Sequence, residues 1–137
     1  MIFYLTNKKI LHTKDCFNYN DNYKKINIKL KDINNYNCKC NCIIRFLNLL
    51  EINKYCKLLN LKYEIVFDMV KIKTEISNWK FDIFSRNKIK LYHSNYLFTQ
   101  RKSDYHIQFH KEITIKNLIY YIYYHDKNKW KLKKGRY

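Results

Sequence analysis

Five candidate metal ligands fall in the first third of this chain, as His12-x3-Cys16 and Cys38-x-Cys40-x-Cys42. Zinc takes four nitrogen or sulfur ligands in a tetrahedron. If His12 and Cys16 supply one pair, and two of Cys38, Cys40 and Cys42 the other, the segment between them must double back on itself. The C-x-C-x-C spacing differs from the usual C-x2-C and leaves one cysteine spare, so which two of the three bind is open. Cys42 would open a helix, whose free N–H groups and dipole stabilise a thiolate. The bland alternative is a set of incidental thiols on a turn beside a surface histidine. Cys56 lies further on, within an apolar helical stripe, and reads as a small core residue.

The rest of the chain bounds the fold more loosely. Its 137 residues suit one compact domain, or a small metal-stapled subdomain fused to an α+β core. Gly135 is the only glycine and proline is absent, so Asn and Asp must make the turns. The same scarcity excludes a glycine-rich phosphate cradle or dinucleotide fingerprint, and no H-E-x-x-H motif occurs. No run of about 18 apolar residues is present, so no membrane-spanning segment is expected. Residues 1–6 are apolar but too short for a secretory signal, so a cytoplasmic chain is expected, and there an odd number of cysteines favours metal or free thiols over disulfides.

Hydrophobic periodicity marks the elements. Residues 3–5 and 9–12 read as two short strands around Asn7-Lys8, and 26–30 as a third. Cys42, Phe46, Leu49, Ile52, Cys56 and Leu59 follow helical spacing. Period two then returns, with Tyr63, Ile65 and Phe67 on one side. Val70, Ile72, Thr74 and Ile76 follow, then Trp79, Phe81 and Ile83, then Ile89 and Leu91. Turns are expected at Asp68, Ser77-Asn78 and residues 85–88. Residues 105–109 form a last strand. Thr114 caps a helix through about His125, with Ile115, Leu118, Ile119 and Ile122 as its buried stripe. Residues 127–137 form a basic tail that frays. The expected fold is α+β: an N-terminal zinc-stapled hairpin, a helix, an antiparallel meander and a C-terminal helix. Residues 1–45 form the metal-binding subdomain, 46–126 the core and 127–137 the tail.

The run Tyr4-Leu5-Thr6, Leu11-His12-Thr13-Lys14-Asp15-Cys16 and Tyr36-Asn37-Cys38-Lys39-Cys40-Asn41-Cys42 resembles the metal-binding domain of Ada-type DNA-repair proteins. A hairpin pair plus a helix-start pair is also similar to zinc-ribbon and treble-clef sites. The resemblance covers residues 1–45 and implies a structural Zn2+. His12 stands where Ada-type domains use cysteine, and no alkyl-transfer activity is carried over. Trp79-x-Phe81, Leu91-Tyr92-His93-x-Asn95, Tyr105-His106-x-Gln108 and His125-Asp126 resemble small uncharacterised proteins of low-GC bacteria and their mobile elements, a likeness that implies no activity.

Net charge is +17, with 14 tyrosines. A polyanion partner is the direct implication, because Lys and Arg displace counterions from phosphate backbones. Only Arg45, Arg86, Arg101 and Arg136 are arginine, and AT-rich coding also enriches Lys, Asn, Ile and Tyr. Sequence-specific base readout, which favours arginine, is therefore not expected. Lys127, Lys129, Trp130, Lys131, Lys133, Lys134 and Arg136 follow a run of tyrosines, a pattern suited to stacking bases and tracking phosphates. An anionic membrane surface would attract the same segment. The expected function is a zinc-stabilised, non-enzymatic binding protein whose partner is nucleic acid or a nucleoprotein. A competing expectation is a small nuclease using His93, His106 and His125, since imidazoles titrate near working pH. A third is a protein-interaction module of a phage or mobile element. Against the nuclease, a strand-end histidine is more often a hydrogen-bonded core-edge residue.

Overall fold

The computed structural model describes residues 1–6, 10–13, 16, 22–36, 38–95 and 105–134, without the side chains of Asn34, Cys38, Lys39 and residues 130–134. The chain is α+β and forms two compact units, Met1–Leu47 and Asn48–Tyr137.

The first unit carries a four-stranded sheet in the order β3-β1-β2-β4. Its strands are β1 (Ile2–Leu5), β2 (Ile10–His12), β3 (Lys24–Asn27) and β4 (Cys38–Lys39). β1 is antiparallel to both β2 and β3, whereas β4 pairs β2 in parallel, Ile10 opposite Cys38. Side chains alternate across a strand. Phe3, Leu5, Leu11 and Ile26 therefore share one face, and Tyr4 and His12 the other. Phe3, Leu11, Ile28, Ile33 and Ile43 make a small buried core. Phe46, from the first half of α1 (Asn41–Leu58), meets Phe3 edge-on at 5.7 Å. The expected third strand stops at Asn27. Residues Leu30–Asn35 instead form a 3-10 turn that buries Ile33.

The second unit is a five-stranded antiparallel meander in sequence order. Its strands are β5 (Lys62–Val66), β6 (Met69–Lys73), β7 (Asn78–Asp82), β8 (Lys88–Ser94) and β9 (His106–Glu112). Registers Ile72↔Trp79 and Trp79↔His93 put these side chains in one row on the inner face. Val70, Ile72, Trp79, Phe81, Ile89 and Leu91 pack there with Ile52 and Cys56 of α1, and with the stripe of α2 (Ile115–Lys134).

Without glycine, asparagine closes the first helix. Asn60 adopts φ 55°, its N–H reaches Lys57 O, and Leu61 N–H reaches Cys56 O. That is the Schellman pattern, with Asn where Gly is usual. Thr114 Oγ1 accepts from Asn117 N at 3.1 Å and caps α2 as expected.

Two expectations need correction. Phe67 is not on the inner face. It and Asp68 form a two-residue hairpin turn with φ 50° and 65°, and Phe67 is 97 % exposed. The Val66↔Met69 register leaves two residues for the turn, and positive φ at both is the type I′ form that suits the twist of the flanking strands. The basic tail does not fray at Asp126 either: α2 continues to Lys134. Lysine is a good helix former, and nothing interrupts the sequence before Gly135.

Cys56 is fully buried, and burial pushes its thiol up from 9.0 to about 12. The folded state holds it neutral, while the unfolded chain releases the proton above pH 9. Its contribution is therefore intact below pH 9 and is lost as pH rises toward 12. Raising pH from about 8 to about 10.5 should erase about 2 kcal/mol of the stability difference between the native chain and Cys56→Ala. Urea unfolding at the two pH values measures this, and an unchanged difference would refute it.

Candidate metal centre and a buried histidine–aspartate cluster

In the first unit, ligand-type atoms of His12, Cys16, Cys40 and Cys42 all lie within 4.8 Å of one another. Each arrives by a separate local device. β2 delivers His12 as its last residue. Cys16 N–H bonds Thr13 O at 3.3 Å, which ties Cys16 to the residue after β2. Cys40 follows β4, and its N–H bonds Leu11 O at 3.0 Å, so the sheet itself sets its position. Cys42 lies in the first turn of α1 and accepts from Thr13 N–H at 3.3 Å.

The geometry suits a thiolate-bound ion. Zn–S bonds of about 2.3 Å put two sulfurs of a tetrahedron about 3.8 Å apart. Cys16 Sγ and Cys40 Sγ are 3.7 Å apart. Buried His12 has an Nδ1 with no hydrogen-bond partner among the described residues, and its ring stacks on Tyr23 at 5.2 Å. Burial lowers its pKa, which keeps it neutral and able to coordinate. These four residues could hold a metal ion. Cys38, the remaining expected ligand, has its backbone in β4; its side chain lies outside the described residues.

The helix start serves a different cysteine from the one expected. Burial pushes the Cys42 thiol up to about 12, and the bonds from Thr13 only partly offset this. Cys40 sits just before α1. Burial works against its thiolate too, but the Cys42 backbone N–H leads a set of hydrogen bonds that outweigh it and hold its pKa below the usual value.

The second unit gathers another polar group. Asp126 is only 4 % exposed. Its Oδ2 accepts from Thr74 Oγ1 and Ser77 Oγ, each at 2.5 Å, and from Trp79 Nε1 at 2.8 Å. Its Oδ1 lies 3.0 Å from His125 Nδ1. Burial alone would raise this carboxyl, but the bonds from Ser77, Thr74, Trp79 and His125 outweigh it and hold it below the usual range. His93 stacks on Trp79 at 3.8 Å with rings 16° apart, and is 1 % exposed. Burial pushes its pKa down to about 4, so it is neutral. His93 Nε2 has no hydrogen-bond partner among the described residues.

Of the three histidines expected to act together, His93 and His125 do approach, with ring centroids 5.4 Å apart. Exposed His106 lies opposite His93 at 5.2 Å. A bulge at Leu91/Tyr92 shifts β9. It separates His106 from exposed His110, which pairs with Lys90. Gln108 instead donates to Tyr121 Oη. Thr74, Ser77 and Asp126 were missed. Asp126 was legible in principle: it lies four residues beyond Ile122, on the buried stripe, where a carboxylate needs partners.

The basic residues of α2 are exposed at Lys127 and Lys129. Trp130, Lys131, Lys133 and Lys134 lie in the helix with side chains outside the described residues, as is all of Arg136. A cleft of about 650 Å³ is lined by Lys62, Lys73, Lys127 and Tyr123, with Glu75 and Asp126 as its acids. Among the described residues, no helix is long and apolar enough to cross a membrane.

In comparisons with known proteins, no family model, no curated protein and no solved structure matches this chain.

Proposed function

We propose that this is a zinc-stabilised cytoplasmic binding protein whose partner is nucleic acid or a nucleoprotein. Zn2+ is structural in this reading, held by His12, Cys16, Cys40 and Cys42. Four protein ligands leave no open position, which is the mark of a structural rather than a catalytic site. The closeness of these four ligand-type atoms is what supports the metal. Cys16, Cys40, Cys42 and Cys56 are unbridged, which suits a reducing compartment.

The basic cleft carries the partner assignment. Lys62 and Lys73 are cross-strand neighbours, and Lys127 with Tyr123 joins them from α2. The outer face of the same sheet continues the pattern, with Lys71 opposite Lys80 and Lys80 opposite Tyr92. Lys80 Nζ lies 4.2 Å from the centre of the Tyr105 ring and 5.4 Å from that of Tyr92. Lysines beside tyrosine faces suit a single strand, whose phosphates take the cations while its bases stack.

The test is fluorescence anisotropy with a labelled single-stranded oligonucleotide across a salt series. Affinity should fall steeply. Lys73→Ala with Lys127→Ala should flatten the log–log slope by about 1.4, at about 0.7 for each phosphate no longer neutralised. Salt-insensitive binding, or none by zinc-loaded protein, would sink the assignment.

A further inference from the structure

The inner face of the second unit holds a polar cluster whose two histidines lie outside the cleft assigned to the partner, although its Asp126 borders that cleft. We propose that His93, His125 and Asp126 form a second metal site, with an open coordination position, for a first-row divalent cation. This second site goes beyond the binding role and shares only Asp126 with the cleft that role uses.

Three observations converge. First, the donor set is two imidazoles and a carboxylate, whose ligand atoms all lie within 4.8 Å of one another. Imidazole suits zinc, iron, nickel and copper, and a two-histidine, one-carboxylate set is a recurrent metal-binding arrangement. Bonds of about 2.05 Å to a tetrahedral ion would put neighbouring nitrogen and oxygen ligands about 3.3 Å apart. His125 Nδ1 and Asp126 Oδ1 are 3.0 Å apart, so this pair needs little adjustment.

Second, His93 Nε2 is buried and unpartnered among the described residues. Buried polar atoms nearly always find a partner, and each exception calls for an explanation. Stacking on Trp79 holds the ring in place, so Nε2 is not free to seek one. A metal ion supplies it.

Third, Asp126 is already oriented. Thr74, Ser77 and Trp79 all bind its Oδ2 and leave Oδ1 to face His125. Metal-ligating carboxylates are held by outer hydrogen bonds of this type. The loop between β6 and β7 provides two of them through Thr74 and Ser77, and β7 provides the third.

Three protein ligands leave a fourth position for water, which is the catalytic rather than the structural class of site. A metal there acidifies that water, so metal-assisted hydrolysis is the reaction class such a centre serves. His125 is 24 % exposed and provides the route in from solvent. The Cys-containing site differs on both counts, in donor type and in coordination number.

The experiment titrates the full-length, metal-free chain with Co2+ alone and follows both stoichiometry and spectrum. Thiolate ligation gives intense near-ultraviolet charge-transfer bands, and nitrogen–oxygen ligation does not. Two equivalents are expected, only one carrying thiolate bands. His125→Ala should abolish the equivalent without thiolate bands and leave the other intact. His93→Gln should do the same, and amide exchange on β7 confirms that each variant is folded. Cys40→Ser should have the opposite effect. A single equivalent with thiolate bands would overturn the second site and leave the first. A second equivalent that persists in both folded histidine variants would also overturn it. A single equivalent without thiolate bands supports this site and refutes the zinc-staple reading.

Discussion

Chelating the metal at neutral pH is expected to unfold Met1–Leu47 while the β6–β8 region of the second unit keeps its structure. Among the described residues, the buried core of the first unit consists of Phe3, Leu11, Ile28, Ile33 and Ile43. Chains of about 40 residues seldom supply enough burial to offset the entropy of ordering them. Its sheet is also poorly supported. β2 has three residues and β4 two, and the β2–β4 pairing depends on the segment that carries Cys40. A structural zinc ion contributes on the order of 10 kcal/mol of apparent binding energy, all of it coupled to folding. Hydrogen exchange by residue reads the outcome. Amides of β1 and β3 should lose protection at least a thousandfold, by an order-of-magnitude conversion of about 4 kcal/mol of lost stability. Those of β6, β7 and β8 should change little. Cys40→Ser should reproduce the effect and Cys56→Ala should not, because Cys56 lies in the other core. Full protection of β1 in chelated protein would remove the structural role.

How much of this was legible depended on whether the signal was periodic or relational. The strands of the meander and both helices follow from hydrophobic spacing, since alternation at Val70, Ile72, Trp79 and Phe81 can bury only one sheet face, whereas β4 carries no such signal. Phe67 broke the rule because turn geometry outranked alternation at a hairpin tip. The end of α2 was misplaced because lysine-rich sequence reads as tail, although lysine propagates a helix well. Metal-type ligands were visible as residue types, but which cysteines meet was not. That depended on the parallel β2–β4 pairing, which brings Cys40 N–H to Leu11 O, and no local spacing encodes it. The Asp126 cluster is more relational still. Its partners lie roughly 50 residues upstream, and the turn residues Thr74 and Ser77 carry their own local explanation as hydroxyl-stabilised turns.

Replacing that aspartate should destabilise the second unit as much as truncating a large core side chain. Asp126→Ala removes an acceptor that serves three donors, two of them on Ser77 and Trp79, which are themselves fully buried. The Ser77 hydroxyl and the indole N–H would then be buried without this partner, at about 1–3 kcal/mol each where no water reaches them, while half-buried Thr74 Oγ1 keeps its bond to Ser77 O at 3.3 Å. A total of about 4 kcal/mol is expected, in the range found when one member of a buried charged network is deleted. For a unit of this size that is a fall in melting temperature of about 20 °C. Asp126→Asn keeps an acceptor oxygen and should cost less than half as much. Ser77→Ala removes one donor together with its need, and should cost about 1 kcal/mol. The three changes should not add: Ser77→Ala in the Asp126→Ala background should be nearly neutral, because the orphaned hydroxyl is gone. Urea unfolding of chelated protein, followed through amides of β7, makes the comparison free of any metal at His93 and His125. A cost below about 1 kcal/mol for Asp126→Ala would mean that water satisfies these donors, and that the cluster does not organise the core. A large cost shared equally by Asp126→Asn would instead assign the effect to the negative charge, with His125 as its counterpart at 3.0 Å.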